Sequence, residues 1–310
     1  MAYNNRFDKV YQKLLSDTTK KRSESIILVI AIASFLIHLA IIYLADFGLI
    51  SIHSSSELLK NPIAAIYTPF SFILVYEVYL LIYYLPKSIT TYIIKQYEII
   101  SLIIIRRLFK DLSTLSLSSD WFKIKYDLQF TYDLVASVLL FFLIYHFYSQ
   151  SKKRYKIPVQ DKIEIQEIAR FIKVKKVLAA SLVPVLIFVA VYSFISWSAG
   201  TIKPGVDESV SFKNINNIFF EQFFTILIIA DVILLLFSFF HTDEFHKVIR
   251  NSGFIISTIL IRLSFSVSGL LNTGLIVSAI IFGLLILIIH NKFEAHIAGE
   301  KSIKESSIEL

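Results

Sequence analysis

Long apolar runs separated by short polar stretches make up most of the chain. The runs cover residues 26–44, 62–85, 97–117, 130–148, 177–199, 218–240, 252–267 and 271–290. Most are close to the roughly twenty residues that carry an α-helix across a hydrocarbon core. Ile, Leu and Phe dominate them, without the two-residue alternation of a barrel strand. The pattern predicts an all-α integral membrane protein with eight transmembrane helices. The run at 97–117 is the least apolar, because it holds Arg106, Arg107, Lys110 and Asp111.

Two shorter stretches have helical periodicity of another kind. Over 5–15, Phe7, Val10, Tyr11, Leu14 and Leu15 recur at helical spacing, with Lys9 and Lys13 opposite. In the middle of 151–176, Ile165, Ile168, Phe171 and Ile172 do the same. Both are read as amphipathic helices lying on the membrane surface.

Composition agrees with the pattern. Hydrophobic residues make up 55% of 310 and mean hydropathy is +0.67, against about 45–50% apolar in soluble domains. The net charge of +7 is read as a marker of sidedness, not of nucleic-acid binding. With eight spans, the N-terminal arm, the central linker and the tail share one face. All three are lysine-rich, so that face and both termini are placed in the cytoplasm, with the loops near Ser54 and Val206 outside. The expected location is the cell (inner) membrane. The first run follows a basic segment and has no small-residue exit, which reads as a retained helix rather than a cleaved signal. The linker from Lys152 to Lys176 is expected to rest on anionic lipid headgroups. The polar tail at 293–310 reads as disordered. The absence of cysteine excludes disulfides and thiolate metal sites.

The runs also repeat. Asp8-Lys9-Val10 matches Asp161-Lys162-Ile163, Glu77 matches Asp231, and Ile100-Ser101 matches Ile256-Ser257. Arg106 matches Arg262, and His146 matches His290. The offset is 153 residues at Asp8 and Asp161, 156 at the arginines and 144 at the histidines. The chain thus divides into a first repeat at 1–150, a second at 151–292 and the tail. Each repeat would hold one amphipathic helix on the cytoplasmic face and four spans. Halves with an even number of spans lie parallel in the membrane, giving two four-helix units.

Charges inside spans are the candidate chemistry. An intramembrane charge costs about 2.5–3.5 kcal/mol on insertion scales and is turned inward and paired. Glu77 and Arg106 fall at similar depth on successive antiparallel helices, as do Asp231 and Arg262. Two salt bridges are therefore predicted. Thr258, Arg262 and Ser266 stand at i, i+4 and i+8, a polar stripe expected to face the bundle. Such pairs either line a path for an ion or solute, or fix helix register. A voltage sensor would need several arginines at three-residue spacing, and each half has one, plus Arg107.

His241, Asp243 and His246, in the stretch HTDEFH, form a candidate site on the cytoplasmic side. Histidines five apart do not share a helix face well, so a solvated turn is preferred there and no metal is assigned. His146 and His290 read as helix C-terminal residues, His38 as a hydrogen-bonded core histidine. Trp121, Trp197 and the tyrosines read as interfacial belts. No phosphate loop, H-E-x-x-H, G-x-S-x-G or potassium-filter motif occurs. The expectation is an ion or small-solute transporter or channel, not an enzyme and with no cofactor. The alternative is a non-catalytic scaffold or subunit of a larger membrane complex. Expected partners are lipid and either further copies of the chain or other membrane subunits, with no nucleic acid.

Overall fold

A computed structural model of the chain describes residues 2–48, 62–112, 125–153, 162–202, 212–240, 244–267 and 269–308. Most of the described residues are helical, with no strand among them. In order they form α1 (Ala2–Leu15), α2 (Asp17–Asp46), a 3-10 helix (Pro62–Ile66), α3 (Tyr67–Tyr84), α4 (Ile89–Leu112) and α5 (Lys125–Ser151). Then follow α6 (Lys162–Ile202), α7 (Phe212–Phe239), α8 (Phe245–Ser264) and α9 (Leu270–Ile308).

Five stretches are long and apolar enough to cross a membrane: Phe7–Asp46, Leu128–Ser151, Ile168–Tyr192, Gln222–Phe239 and Leu270–Gly299. They mark a multi-pass membrane protein. Thr68–Tyr84 is apolar but shorter. α4 and α8 are outside this group, since each mixes apolar residues with several charges. Length and apolarity therefore support five of the eight expected crossings.

Three further boundaries differ from the sequence reading. The amphipathic helix of the linker is not separate: it continues into the fifth run as α6, a single helix of 41 residues. Nothing around Lys173–Val177 breaks it, because no proline, glycine or capping residue stands there. α9 runs on through residues 293–308, where a disordered tail was expected. α8 ends at Ser264, so Ser266 lies beyond the helix and is exposed. By contrast, α1 and α2 are separate as expected. Ser16 is extended (φ −82°, ψ 159°) and its Oγ accepts from the Thr19 amide at 3.1 Å, capping α2.

The chain forms two compact units, each drawing segments from both sequence halves. One comprises Met1–Leu85, Leu102–Leu134 and Lys176–Leu227. In it α2 packs along α3, and α3 tyrosines reach the N-terminal helices. The Tyr76 hydroxyl donates to Glu24 at 3.0 Å, Tyr79 to the Leu14 carbonyl at 2.9 Å, and Tyr83 to Asp17. His38, half-buried, meets the Thr68 hydroxyl.

The other unit comprises Pro86–Ser101, Val135–Lys175 and Ile228–Leu310. Its main pairing is the hairpin of α8 on α9. Gly269, at φ 75°, supplies the left-handed residue of the turn. The Asn272 side chain donates to the Ser264 carbonyl, which also accepts from the Val267 amide, at the buried end of α8.

Polarity is inverted relative to a water-soluble protein. Val29 and Ile37 on α2, Val135 and Val138 on α5, and Phe188 on α6 are exposed, whereas Glu77, Asp133, Asp231 and Arg262 are buried. Water would penalise so much exposed apolar surface. Hydrocarbon favours it and drives the charges inward.

Candidate functional site

The structure joins both predicted ion pairs. In the first unit, Arg106 Nη1 lies 3.4 Å from Glu77 Oε2 and donates to the Phe70 carbonyl at 3.0 Å. Phe70 also stacks on Phe109, with ring centroids 5.4 Å apart.

The same unit holds an ion pair that the sequence reading did not propose. Arg107 Nη2 donates to Asp133 Oδ1 at 2.6 Å while its Nε donates to Oδ2. This two-pronged contact is the strongest arrangement open to a guanidinium and a carboxylate. Gln129 Nε2 adds a third donor to Asp133 at 3.0 Å. Asp133 is fully buried. The signal was present as a lone acid inside the apolar run at 130–148, and Arg107 had been considered only as a neighbour of Arg106.

In the second unit Arg262 Nη2 lies 2.7 Å from Asp231 Oδ2. Two α4 side chains complete the cluster. The Tyr92 hydroxyl donates to Asp231 Oδ1 at 2.8 Å, and Arg262 Nη2 also donates to Gln96 Oε1 at 3.0 Å. All four side chains are buried. Arg262 Nη1 and Gln96 Nε2, both donors, have no acceptor among the described residues.

Of the expected stripe, Thr258 is buried and donates to the Ile255 carbonyl at 2.9 Å, but Ser266 is outside. Ser257 takes the inward role instead. Its hydroxyl donates to the Ala279 carbonyl at 2.6 Å, which leaves its oxygen to accept from Tyr97 Oη at 2.6 Å. Tyr97 reaches it because Gly283 has no side chain: a Cβ there would stand 2.0 Å from Tyr97 Oη.

His241 and Asp243 lie outside the described residues. His246 is buried near the start of α8, stacked on His290 with ring centroids 5.3 Å apart. Its Nε2 lies 3.0 Å from Glu294 Oε1 and 3.3 Å from Glu244 Oε2. His290 Nε2 lies 3.7 Å from the same Glu294 oxygen and 2.9 Å from Arg250 Nη1. Arg250 Nε and Nη2 both donate to Asn251 Oδ1, at 3.2 and 3.0 Å. His290 is therefore a mid-helix residue of α9 and caps no C-terminus. His146, on α5, stacks edge-on against Phe142 at 4.4 Å.

The chain matches no protein-family model, no curated protein and no solved structure.

Proposed function

We propose that the chain is an ion or small-solute transporter or channel, with its buried charges beside the path. Arg262 Nη1 and Gln96 Nε2 carry this reading. They are donors inside a buried cluster in which Asp231 Oδ1 and Gln96 Oε1 are engaged and Asp231 Oδ2 also lacks a hydrogen bond. An unmet donor in a low-dielectric interior is costly. A water, a small anion or a solute oxygen relieves it, and a path supplies one. Asp231 next to Arg262 keeps the cluster near neutrality, so a visitor is held weakly enough to leave.

In this reading all eight apolar runs cross the cell membrane, in two parallel four-helix repeats at 1–150 and 151–292, with both termini cytoplasmic. α4 and α8 cross with their charges turned inward. Glu77, Arg106, Asp231 and Arg262 serve the path, and Thr258 supports α8. The basic stretch Lys152–Lys176 rests on anionic lipid, except for Lys175, which is buried and donates to the Lys87 carbonyl at 3.0 Å. No catalytic step is assigned.

One observation favours the alternative of a membrane scaffold or subunit. Arg107 and Asp133 satisfy each other through two bonds, as a register-fixing pair would. Flux separates the readings. The full chain in liposomes is tested with proton, potassium and chloride gradients, alongside Arg262→Ala and Glu77→Gln. Transport in the parent that falls at least tenfold in either variant supports a path. Flux absent from the parent, or unchanged in both variants, favours the scaffold.

A further inference from the structure

Two histidines and a glutamate converge where α8 begins, on the side chains of two different helices. His290 and Glu294 are one helical turn apart on α9, a spacing that aims both at one point. His246 comes from α8. Their ligating atoms, one from each residue, all lie within 4.8 Å of one another. Glu244 Oε2 stands 3.3 Å from His246 Nε2 on the open side, while Glu244 Oε1 takes Lys247 Nζ at 2.7 Å.

We propose that His246, His290 and Glu294 bind one divalent transition-metal ion of the zinc class, with the fourth position open toward Glu244. Zinc holds imidazole nitrogen at about 2.0–2.1 Å and carboxylate oxygen at about 2.0–2.2 Å, so tetrahedral ligands stand about 3.4 Å apart. The separations of 3.0, 3.7 and 3.3 Å for His246–Glu294, His290–Glu294 and His246–Glu244 bracket that value. The donor set is nitrogen and oxygen only, which suits zinc, cobalt or nickel rather than a thiol-seeking ion. Side-chain exposure is 8%, 7% and 14% at the three principal ligands and 49% at Glu244. The ion would enter past Glu244 into a largely dry pocket.

Protonation is consistent. A guanidinium can only donate, so Arg250 Nη1 marks His290 Nε2 as an acceptor whose lone pair is available. The ion displaces Nη1, and Arg250 keeps Asn251 through its other two nitrogens. His246 Nε2 faces two carboxylate oxygens, at 3.0 and 3.3 Å, so an ion placed there meets nitrogen and oxygen donors together. Bound there, the metal ties the start of α8 to α9. Nothing in this depends on whether the chain carries a solute.

The test uses the full chain purified in detergent, loaded with zinc, desalted and assayed for metal. About one zinc per chain is expected, with tetrahedral visible absorption when cobalt(II) replaces it. His290→Ala and Glu294→Gln should lose the zinc and the zinc-dependent rise in melting temperature, and His146→Ala should keep both. His246→Cys should retain an ion and shift its preference toward cadmium, which a variant that merely disturbs folding would not do. Background metal in the parent, or His290→Ala and Glu294→Gln variants that hold as much zinc as the parent, would overturn the proposal.

Discussion

Arg262 meets Asp231 at 2.7 Å, with only 3% and 0% of the two side chains exposed. Neither charge has water to fall back on, so each depends on the other. Arg262→Ala would strand the Asp231 carboxylate with Tyr92 as its one donor among the described residues, at a cost of about 3–5 kcal/mol. Replacing both charges by apolar residues, as in Asp231→Leu with Arg262→Met, should cost less than Arg262→Ala alone. Thermal unfolding in detergent of the parent, Arg262→Ala, Asp231→Leu, Arg262→Met and the double variant measures this. Additive losses would mean the two side chains do not stabilise each other.

Arg107 and Asp133 test geometry rather than charge. Lysine carries the same charge but cannot present two parallel donors. Arg107→Lys should therefore destabilise the chain by about 1.5–3 kcal/mol, the worth of a hydrogen bond to a charged group. A melting temperature equal to the parent's would show that a point charge near Asp133 suffices.

Gly283 is held open by Tyr97. Gly283→Ala places a methyl group 2.0 Å from Tyr97 Oη. The tyrosine must then leave Ser257, and its hydroxyl loses the 2.6 Å bond. The expected loss is about 1–3 kcal/mol, the range for overpacking a filled interior. In a Tyr97→Phe background the same substitution should cost clearly less, because the clashing oxygen is gone. An equal cost in both backgrounds would locate the strain elsewhere.

What the sequence made legible follows from the physics of each feature. Glu77–Arg106 and Asp231–Arg262 were readable because a charge in an apolar run must find a partner, and equal depth on antiparallel helices limits the choice. The cap at Ser16 was passed over, although a serine before Asp17 is a strong helix start signal. Arg107–Asp133 was overlooked, although the lone acid in its run was as informative as Glu77. The roles of Tyr92, Gln96 and Tyr97 were not legible. They come from the part of α4 least distinctive in sequence, and only folding sets them against Asp231, Arg262 and Ser257. His290 was misplaced because α9 was expected to stop at the end of its apolar run, and it continues to Ile308. That continuation puts Glu294 one turn beyond His290 and makes the histidine cluster.

Whether α4 and α8 carry their charges through the bilayer decides the rest, because the proposed path and the sidedness of both termini require it. The chain has no cysteine, so single cysteines report position without background. Ser118→Cys follows α4 and Ser209→Cys precedes α7. In intact cells making the full chain, a membrane-impermeant maleimide should label both from outside. A cysteine at 118 that reacts only after the membrane is opened would mean that α4 does not cross, and the eight-span arrangement would be wrong.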